Sequence, residues 1–524
     1  MAAVTRVKGR IKTGRYFDSV TLMLVGKELR NVNGVVDAAV VMGTAENKKI
    51  LAAVGLIDPS LEKAKENEII IVVKVDEASG GDSAAESLLS KAEEILARAS
   101  KRSEQGEIPR SASSLDGAMK ILSDANLAVI SVAGRFAAAE ARRALERGLH
   151  VMLFSDNISL ESEIELKAFA LDRGLLLMGP DCGTAIINSV PLGFANAVPR
   201  GDIGIVAASG TGLQEVSSII ANRGGGISQA IGTGGRDVKK EVGGVMFLAA
   251  LRALKSDSAT RVIVLVSKPP DKSVFERITR EAAGAGKPVV AVFLGEHGQG
   301  QKKSPSSMHL CATLEEAALV ALALQAGKPT DDVQSYLAAQ RRELKDRAAC
   351  ASKKCRPEQK YLRGLFSGGT FCSEAQVILG ESLSSLKNLK DSLNSEGHSV
   401  IDLGQDAFTV GRPHPMIDYS LRNQRIHAEA GDSEVAVILL DIVLGYGAHP
   451  DPVIEIGPVI REVSKKVCVV CSVTGTDRDP QNRQGVASGL VEAGALVAPS
   501  NAAACSLAGL IIKQLPARRA RKGG

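Results

Sequence analysis

Short apolar runs recur along this chain, separated by stretches in which apolar residues return every three or four positions. Runs of the first kind read as buried strands, and stretches of the second kind as amphipathic helices. Over 1–100, runs at 5–12, 37–42 and 69–75 predict strands, with helices starting at 18 and covering 83–98. That makes a small α+β domain. Residues 101–114 are polar, carry Pro109 and read as a linker. Over 115–200 the predicted strands are 127–132, 150–154 and 174–178, a Rossmann-like unit. Over 201–327 five runs, at 203–208, 227–232, 261–267, 288–294 and 308–312, alternate with helices. Capping boxes start at Thr211 (with Gln214) and Thr313 (with Glu316). The charged segment 328–360 holds Pro329 and Pro357 and reads as a linker with a helical middle. From 361 to 515 the rhythm repeats, with strands at 362–366, 400–403, 435–444, 467–473 and 495–498. Strands separated by helices imply right-handed crossovers and parallel sheets. The expected fold class is α/β and multi-domain, ending in two related flavodoxin-like domains and a basic tail at 516–524.

Two apolar strands run into glycine-rich turns. DIGIVAASGTG (202–212) enters a helix through Ser209, Gly210, Thr211 and Gly212; VAVILLDIVLGYGA (435–448) runs likewise into Gly445, Tyr446, Gly447 and Ala448. A helix start leaves several N–H groups unpaired and carries positive partial charge. Two such starts facing each other would hold a phosphate or acyl phosphate from both sides. Both turns are therefore expected to border one cleft at strand carboxyl ends, with Arg236 or Arg412 in reach.

Composition narrows the class. A chain of 524 residues exceeds one core, and 45% hydrophobic content suits globular structure. Aromatics are 3% with no Trp, which argues against base stacking on nucleic acid. The net charge of +5 owes much to Arg518, Arg519, Arg521 and Lys522, read as a solvated tail. No run approaches the roughly 18 apolar residues that span a bilayer. The early cations Arg6, Lys8, Arg10, Lys12 and Arg15 lack the apolar core of a signal peptide. Eight Cys in this length imply no disulfide framework. Cys468 and Cys471 form a CxxC inside an apolar run and read as buried, reduced strand residues. A cytoplasmic protein is expected, with neither nucleic acid nor membrane as partner.

Residues 115–326 resemble the alpha subunit of succinyl-CoA synthetase: GPDCG at 179–183, IVAASGT at 205–211 and IGTGG at 231–235 stand where that family has its turn motifs. Residues 398–512 are similar to the ligase domain of its beta subunit, with IDLG at 401–404. The resemblance implies that both flavodoxin-like domains are of the ligase type. Nearly the whole chain resembles the FdrA family, through MGPDCGT (178–184), GTGGRD (232–237), VGRPHPMID (410–418) and VTGTDRDP (473–480). That resemblance implies a subunit of a multi-subunit oxamate carbamoyltransferase. Such an enzyme converts oxalurate and phosphate to oxamate and carbamoyl phosphate in allantoin breakdown and needs companion subunits. An acyl-CoA synthetase subunit with a separate nucleotide-binding partner is the alternative, and a non-catalytic scaffold or sensor is the second.

The chain departs from the synthetase pattern. Lys268, in SKPP at 267–270, stands in place of the Glu turn that supports the synthetase's phosphohistidine. No GHAGA loop follows; His297 and His309 are the nearby histidines. The front Gly-rich CoA loop and the nucleotide-grasping domain are missing from the pattern. Arg236 and Arg412 are candidates to grip a carboxylate or phosphate bidentately. His414, between two prolines, is the candidate general acid, or else a partner for backbone. Gly234, Gly235, Asp237, Thr474 and Asp477 are candidate substrate contacts. Asp181 and Cys182 read as a turn residue beside a buried thiol, and Asp441 needs a polar partner if buried. No metal site is read, and no cofactor is assigned, CoA and Mg²⁺ staying open.

Overall fold

The continuous apolar run IIIVV at 69–73 has no polar face, so it requires cover on both sides. A computed structural model of the protein describes all residues except 1–4, 14–16, 18, 31, 54, 57, 78–80, 105–111, 113, 296–307, 390–394, 410–412 and 516–524. It divides into two compact units, residues 1–125 with 408–413, and residues 126–407 with 414–524.

In the first unit β1 (Thr5–Lys12), β2 (Val35–Met42) and β3 (Ile69–Asp76) form an antiparallel sheet in the order β1-β3-β2. Central β3 sends Ile69, Ile71 and Val73 to one face, against Leu22, Val25, Leu29 and the helix Gly81–Glu104. Ile70 and Val72 go to the other, against Leu51, Leu56, Leu61 and Ala64. This two-sided burial explains the missing polar alternation. On β1, Lys8 and Arg10 pair with Glu86 of that helix.

The second unit begins with a three-stranded parallel sheet of β4 (Leu127–Ile130), β5 (His150–Leu153) and β6 (Leu177–Met178). The hairpin β7 (Thr184–Ile187) and β8 (Val190–Gly193), unanticipated by the helix–strand alternation, adds antiparallel to the next sheet. That sheet contains β9 (Arg200–Ala207), β10 (Ile227–Gly232), β11 (Val262–Ser267), β12 (Val289–Phe293) and β13 (His309–Cys311). Its order is β13-β12-β11-β9-β10-β7-β8. A six-stranded parallel sheet follows, from β14 (Tyr361–Phe366), β15 (Lys387–Leu389), β16 (Ser399–Asp402), β17 (Val435–Val443), β18 (Cys468–Thr474) and β19 (Leu496–Ala498), in the order β15-β16-β14-β17-β18-β19.

The two sheets repeat one topology, since β10-β9-β11-β12-β13 and β16-β14-β17-β18-β19 are the same strand order. Both are flavodoxin-like, and the fold is α/β as expected. In each, the first strand (β9 or β14) sits at the switch point, where ligands bind beyond the carboxyl ends. The charged 328–360 segment forms the helix Asp331–Ser352, whose Val333, Leu344 and Ala348 are buried in the core shared by both sheets. Among the described residues no helix is long and apolar enough to cross a membrane.

Candidate functional site

β9 ends at Ala207, and Ser209 caps the helix Gly210–Asn222 from an extended backbone, its Oγ accepting the Gly212 N–H at 2.9 Å. Serine at this position satisfies one of the orphan donors of the first turn. No described acceptor takes the N–H of Gly210 or Thr211. A side chain at Gly212 would lie 2.6 Å from Ser209 Oγ and 2.9 Å from Val266, so only glycine fits that turn. The corresponding strand of the second sheet, β14, runs into Ser367, Gly368, Gly369 and Thr370, which open the helix Gly369–Gly380. Its cap Gly368 has no side chain to offer, and Asp441 takes over. The carboxylate accepts from Ser367 N at 2.8 Å, Ser367 Oγ at 2.9 Å and Gly368 N at 2.8 Å. It is itself held by buried Arg422 at 2.7 Å. The polar partner that a buried Asp441 requires is thus Arg422 together with this turn.

These two helix starts meet. Ser209 Oγ lies 2.5 Å from Thr370 Oγ1, and a Cβ at Gly368 would sit 3.0 Å from Thr211 Oγ1. The partner of loop 209–212 is therefore 367–370. Loop 445–448 is a correction to the expected arrangement. Six residues separate Gly445 from the helix Pro452–Val463, whose cap is Asp451, so the loop is not a helix start. Three of its four donors are already used: Gly445 N–H goes to Gln481, Tyr446 N–H to Ala195 O and Ala448 N–H to Gly445 O. Gly445, at φ 130°, and Gly447 pack against Phe194 and Ala195, and the Tyr446 side chain is exposed.

Three charged or titratable groups surround the Gly369 helix start. A Cβ at Gly369 would lie 2.6 Å from Asp402 Oδ2 and 3.5 Å from Lys268 Nζ. Lys268, just past β11, is exposed; Asp402, at the end of β16, is 7% exposed. Asp402 Oδ1 accepts the Gly404 N–H at 3.0 Å, and the Gln405 side chain also bonds the carboxylate. Burial pushes Asp402 up to about 6, against the opposing pull of these hydrogen bonds and of Lys268. His414 Nδ1 accepts the Met416 N–H at 3.2 Å, so the ring proton belongs on Nε2. A Cβ at Gly404 would lie 2.6 Å from that Nε2 and 3.2 Å from Asp402 Oδ1. Burial lowers His414 to about 4. A histidine so depressed is neutral near pH 7, and with Nδ1 held by the Met416 N–H it answers to a partner for backbone rather than a general acid.

The remaining sequence candidates lie elsewhere. Arg236 points to helix Leu160–Asp172, pairing with Glu163 at 2.8 Å and donating to Ile158 O, although it stays 46% exposed. Asp237 is wholly buried, bound to Lys167 at 2.8 Å and to the N–H groups of Met246 and Phe247. It caps the helix Val245–Ser256 and has no lone pair facing solvent. Gly234, at φ 82°, packs on the Pro180 carbonyl, while Gly235 is exposed. Thr474 is buried, donating to Glu215 at 2.5 Å, and Asp477 accepts the Gln484 N–H on the surface. As substrate contacts Asp237 and Thr474 are thus corrected: each is spent on packing. Arg412 and His297 lie outside the described residues. Cys182 donates to Thr184 O and Gly232 O, and burial pushes it up to about 12; Cys468 and Cys471 are pushed to about 12 as well. All eight cysteines are free. Among the described residues no group of three His, Cys, Asp or Glu could hold a metal.

Behind the facing helix starts, Asn501 ties the two helices together. Its N–H donates to Glu215 at 2.9 Å, and its Nδ2 to Glu374 at 2.8 Å. Glu315 lies in the same cluster, taking Ser500 Oγ at 2.5 Å and Gln340. Burial raises Glu215, and it raises Glu374 to about 7, with the neighbouring acids adding to both. A carboxyl whose folded value exceeds 4.5 stabilises the fold fully only below that pH, and the contribution fades as pH rises through about 7. Set against wild type, the stability of Glu374→Gln should therefore rise by about 2–3 kcal/mol from pH 5 to pH 8.5, on top of a pH-independent loss because its amide N–H must face the Leu314 or Asn501 donor. Urea melts at the two pH values measure this, and an equal effect at both would remove ionisation as the cause.

Comparison with known proteins agrees with the two ligase-like sheets. The CoA-ligase family pattern matches residues 365–511, and the succinyl-CoA ligase like flavodoxin domain matches 200–336. The AllF heavy metal-associated domain matches 5–111. Protein YahF of Escherichia coli (strain K12) is 42% identical over 511 residues, covering 94% of this chain and 96% of YahF. The chain belongs to the FdrA family. Within this FdrA chain, residues 5–111 contain neither Cys nor His, so the heavy-metal name of that domain carries no thiol or imidazole ligand here. Succinate–CoA ligase [ADP-forming] subunit alpha 2 of Archaeoglobus fulgidus is 30% identical over 178 residues, 33% of this chain and 60% of that subunit. Among solved structures, the apo form of a dinucleotide-forming acetyl-coenzyme A synthetase 1 from Ca. Korarchaeum cryptofilum is similar over 77% of this chain and 88% of its own. The identity is 15% and the TM-score 0.33.

Sequence reasoning missed 367–370, Asp402 and the role of Lys268. A signal was present: SGGT at 367–370 mirrors SGTG at 209–212, each after the first strand of its repeat.

Proposed function

We propose that this chain is the acyl-phosphate-binding subunit of a multi-subunit acyl-transfer enzyme of the succinyl-CoA ligase type, working with separate companion subunits. The observation that carries this reading is the 2.5 Å contact between Ser209 and Thr370, which brings two helix starts to one point. The N–H groups of Gly210, Thr211, Gly369 and Thr370 would bind phosphoryl oxygens, and the two hydroxyls would add further hydrogen bonds. Lys268 would balance part of the anion's charge. These groups are fixed by their helices before any ligand arrives, so they need no reorganisation as charge builds on the phosphoryl oxygens.

CoA is the acceptor implied by the ligase family. At the three-stranded sheet the helix Gly134–Glu146 follows β4, and a Cβ at Gly134 would lie 2.3 Å from Asp156 O and 2.6 Å from Asn157 O. Backbone acceptors crowd that helix start, which does not suit an anionic cofactor, and no step is assigned to CoA.

A second reading, carbamoyl transfer between oxalurate and phosphate, is favoured by Lys268. A cation beside the phosphate site stabilises a free phosphate or a substrate carboxylate, whereas the synthetase pattern places a carboxylate there. Direct transfer to phosphate also needs no protein nucleophile. The thiol nearest the site, Cys372, is pushed far up by burial and is inert.

Thermal unfolding of the full chain separates these readings. Ligand at a hundredfold its Kd adds about 2.7 kcal/mol to stability. Protection by inorganic phosphate and carbamoyl phosphate, without CoA, is the result expected for carbamoyl transfer. Protection by CoA and acetyl phosphate selects the ligase. If no phosphate or acyl phosphate protects, the acyl-phosphate site itself is wrong.

A further inference from the structure

Resting on the acyl-phosphate reading, we infer that Asp402 is the proton-transfer residue of this site, carrying a proton when phosphate is seated and delivering it to the leaving group. Neither motif resemblance nor helix starts assign it. Three features of its placement do.

Asp402 ends β16, the strand beside β14, so the β-strand register sets its carboxylate next to the turn that opens the Gly369 helix. Oδ2 faces the space that a Gly369 Cβ would fill, 2.6 Å away, where a bound phosphoryl group would approach the helix start. Oδ1 is anchored by Gly404 N–H at 3.0 Å, which fixes the orientation of the carboxyl plane. The absence of side chains at Gly369 and Gly404 is what lets the Asp402 carboxyl pack directly against both backbones. A Cβ at Gly404 would meet Asp402, His414 and the Ser367 carbonyl together.

The surrounding charges make the carboxyl responsive. Lys268 from β11 favours the ionised form, while Asp441 from β17 opposes it. His414, neutral, stands across Gly404, and Cys372 on the helix Gly369–Gly380 is uncharged. A phosphate dianion arriving at Oδ2 repels an ionised carboxylate and offers an oxygen to a protonated one. Seating the anion and protonating Asp402 are therefore coupled.

The step balances in atoms and electrons. A phosphate oxygen adds to the acyl carbon of the substrate, forming the C–O bond of an acyl phosphate. The bond from that carbon to the leaving atom breaks, and its electron pair stays on the leaving atom. That atom takes the proton from Asp402 Oδ2, and Asp402 is left as the carboxylate. In the reverse direction the carboxylate takes the proton from the attacking nucleophile, and phosphate departs with the C–O electron pair.

The test is calorimetric titration of the full chain with inorganic phosphate in buffers of different ionisation enthalpy, which counts protons taken up per phosphate bound. Wild type at pH 7 should take up at least half a proton more than Asp402→Asn, since the proton exchange of phosphate itself is common to both. The ratio of wild-type to variant affinity should also rise about tenfold from pH 8 to pH 5.5, the ionisation of phosphate itself being common to both. Equal proton counts with equal affinity profiles would overturn the role of Asp402 while leaving the phosphate site standing. Failure of wild type to bind phosphate at all would instead overturn the site and this inference with it. If the Asn variant melts early by circular dichroism, wild type alone decides. Titrated with sulfate, an oxyanion that does not itself titrate in this range, it should take up protons at pH 7 and none at pH 5, where the carboxyl is already protonated; uptake unchanged across that range refutes the inference.

Discussion

Gly369→Ala should weaken phosphate binding at least tenfold, about 1.4 kcal/mol, and leave the fold intact. The added methyl would lie 2.6 Å from Asp402 Oδ2 and 3.5 Å from Lys268 Nζ, in the space assigned to the anion. One of these side chains must move, and Asp402 is pushed away from the helix start. The backbone at Gly369 needs no left-handed conformation, and alanine is a better helix former than glycine. Global stability should therefore be unchanged or slightly higher. The measurement is a phosphate titration beside a urea melt of the same sample. Unaltered affinity in a folded variant would mean that the anion does not use the Gly369 helix start. A parallel loss of stability would point to packing instead.

The second large effect belongs to Asp441. Asp441→Ala should cost about 3–5 kcal/mol of stability, because it strands a buried charge. Asp441 and Arg422 are both fully buried, and Arg422 Nε and Nη1 already lack hydrogen-bond partners. Removing the carboxylate leaves the guanidinium uncompensated and also frees the N–H groups of Ser367 and Gly368. The turn that presents Gly369 and Thr370 would lose its anchor. Asp441→Asn keeps the shape and can still accept from part of the turn, so its loss should be smaller. A double variant, Asp441→Leu with Arg422→Met, should recover part of the stability by removing both charges. Urea midpoints at pH 7 order the three variants. A cost below about 1 kcal/mol for Asp441→Ala would show that the pair does not hold the turn.

Much of this protein is local and therefore legible in sequence. Apart from the exposed edge strand β15, which the sequence did not announce, the parallel strands of both flavodoxin-like sheets coincide with apolar runs, because a strand covered on both faces has no polar alternation. The cap at Thr313 was visible for the same reason: the oxygen and the N–H it satisfies are three residues apart. The expected capping box at Thr211 is corrected, since Ser209 caps that helix and Thr211 lies inside its first turn, with Gln214 bonded to Phe194 O and Leu444 O instead. The first glycine loop could be found because its turn and its helix are contiguous. Arg236 and Asp237 show where local reading ends. Their types suit substrate binding, yet partners some seventy residues earlier, Glu163 and Lys167, claim them.

What faces loop 209–212 was decided only by tertiary structure. Loop 445–448 has the more conspicuous glycines, but it follows the third strand of its repeat and spends its N–H groups on Ala195 and Gln481. Loop 367–370 follows the first strand, as 209–212 does, and the packing of the two repeats brings those equivalent ends together. The same packing places Lys268, Asp402 and His414, distant in sequence, around one helix start. Hydrophobic period and capping act over a few residues and are written in the chain by themselves. The meeting of two helix starts depends on strand order and sheet packing, which depend on the whole second unit.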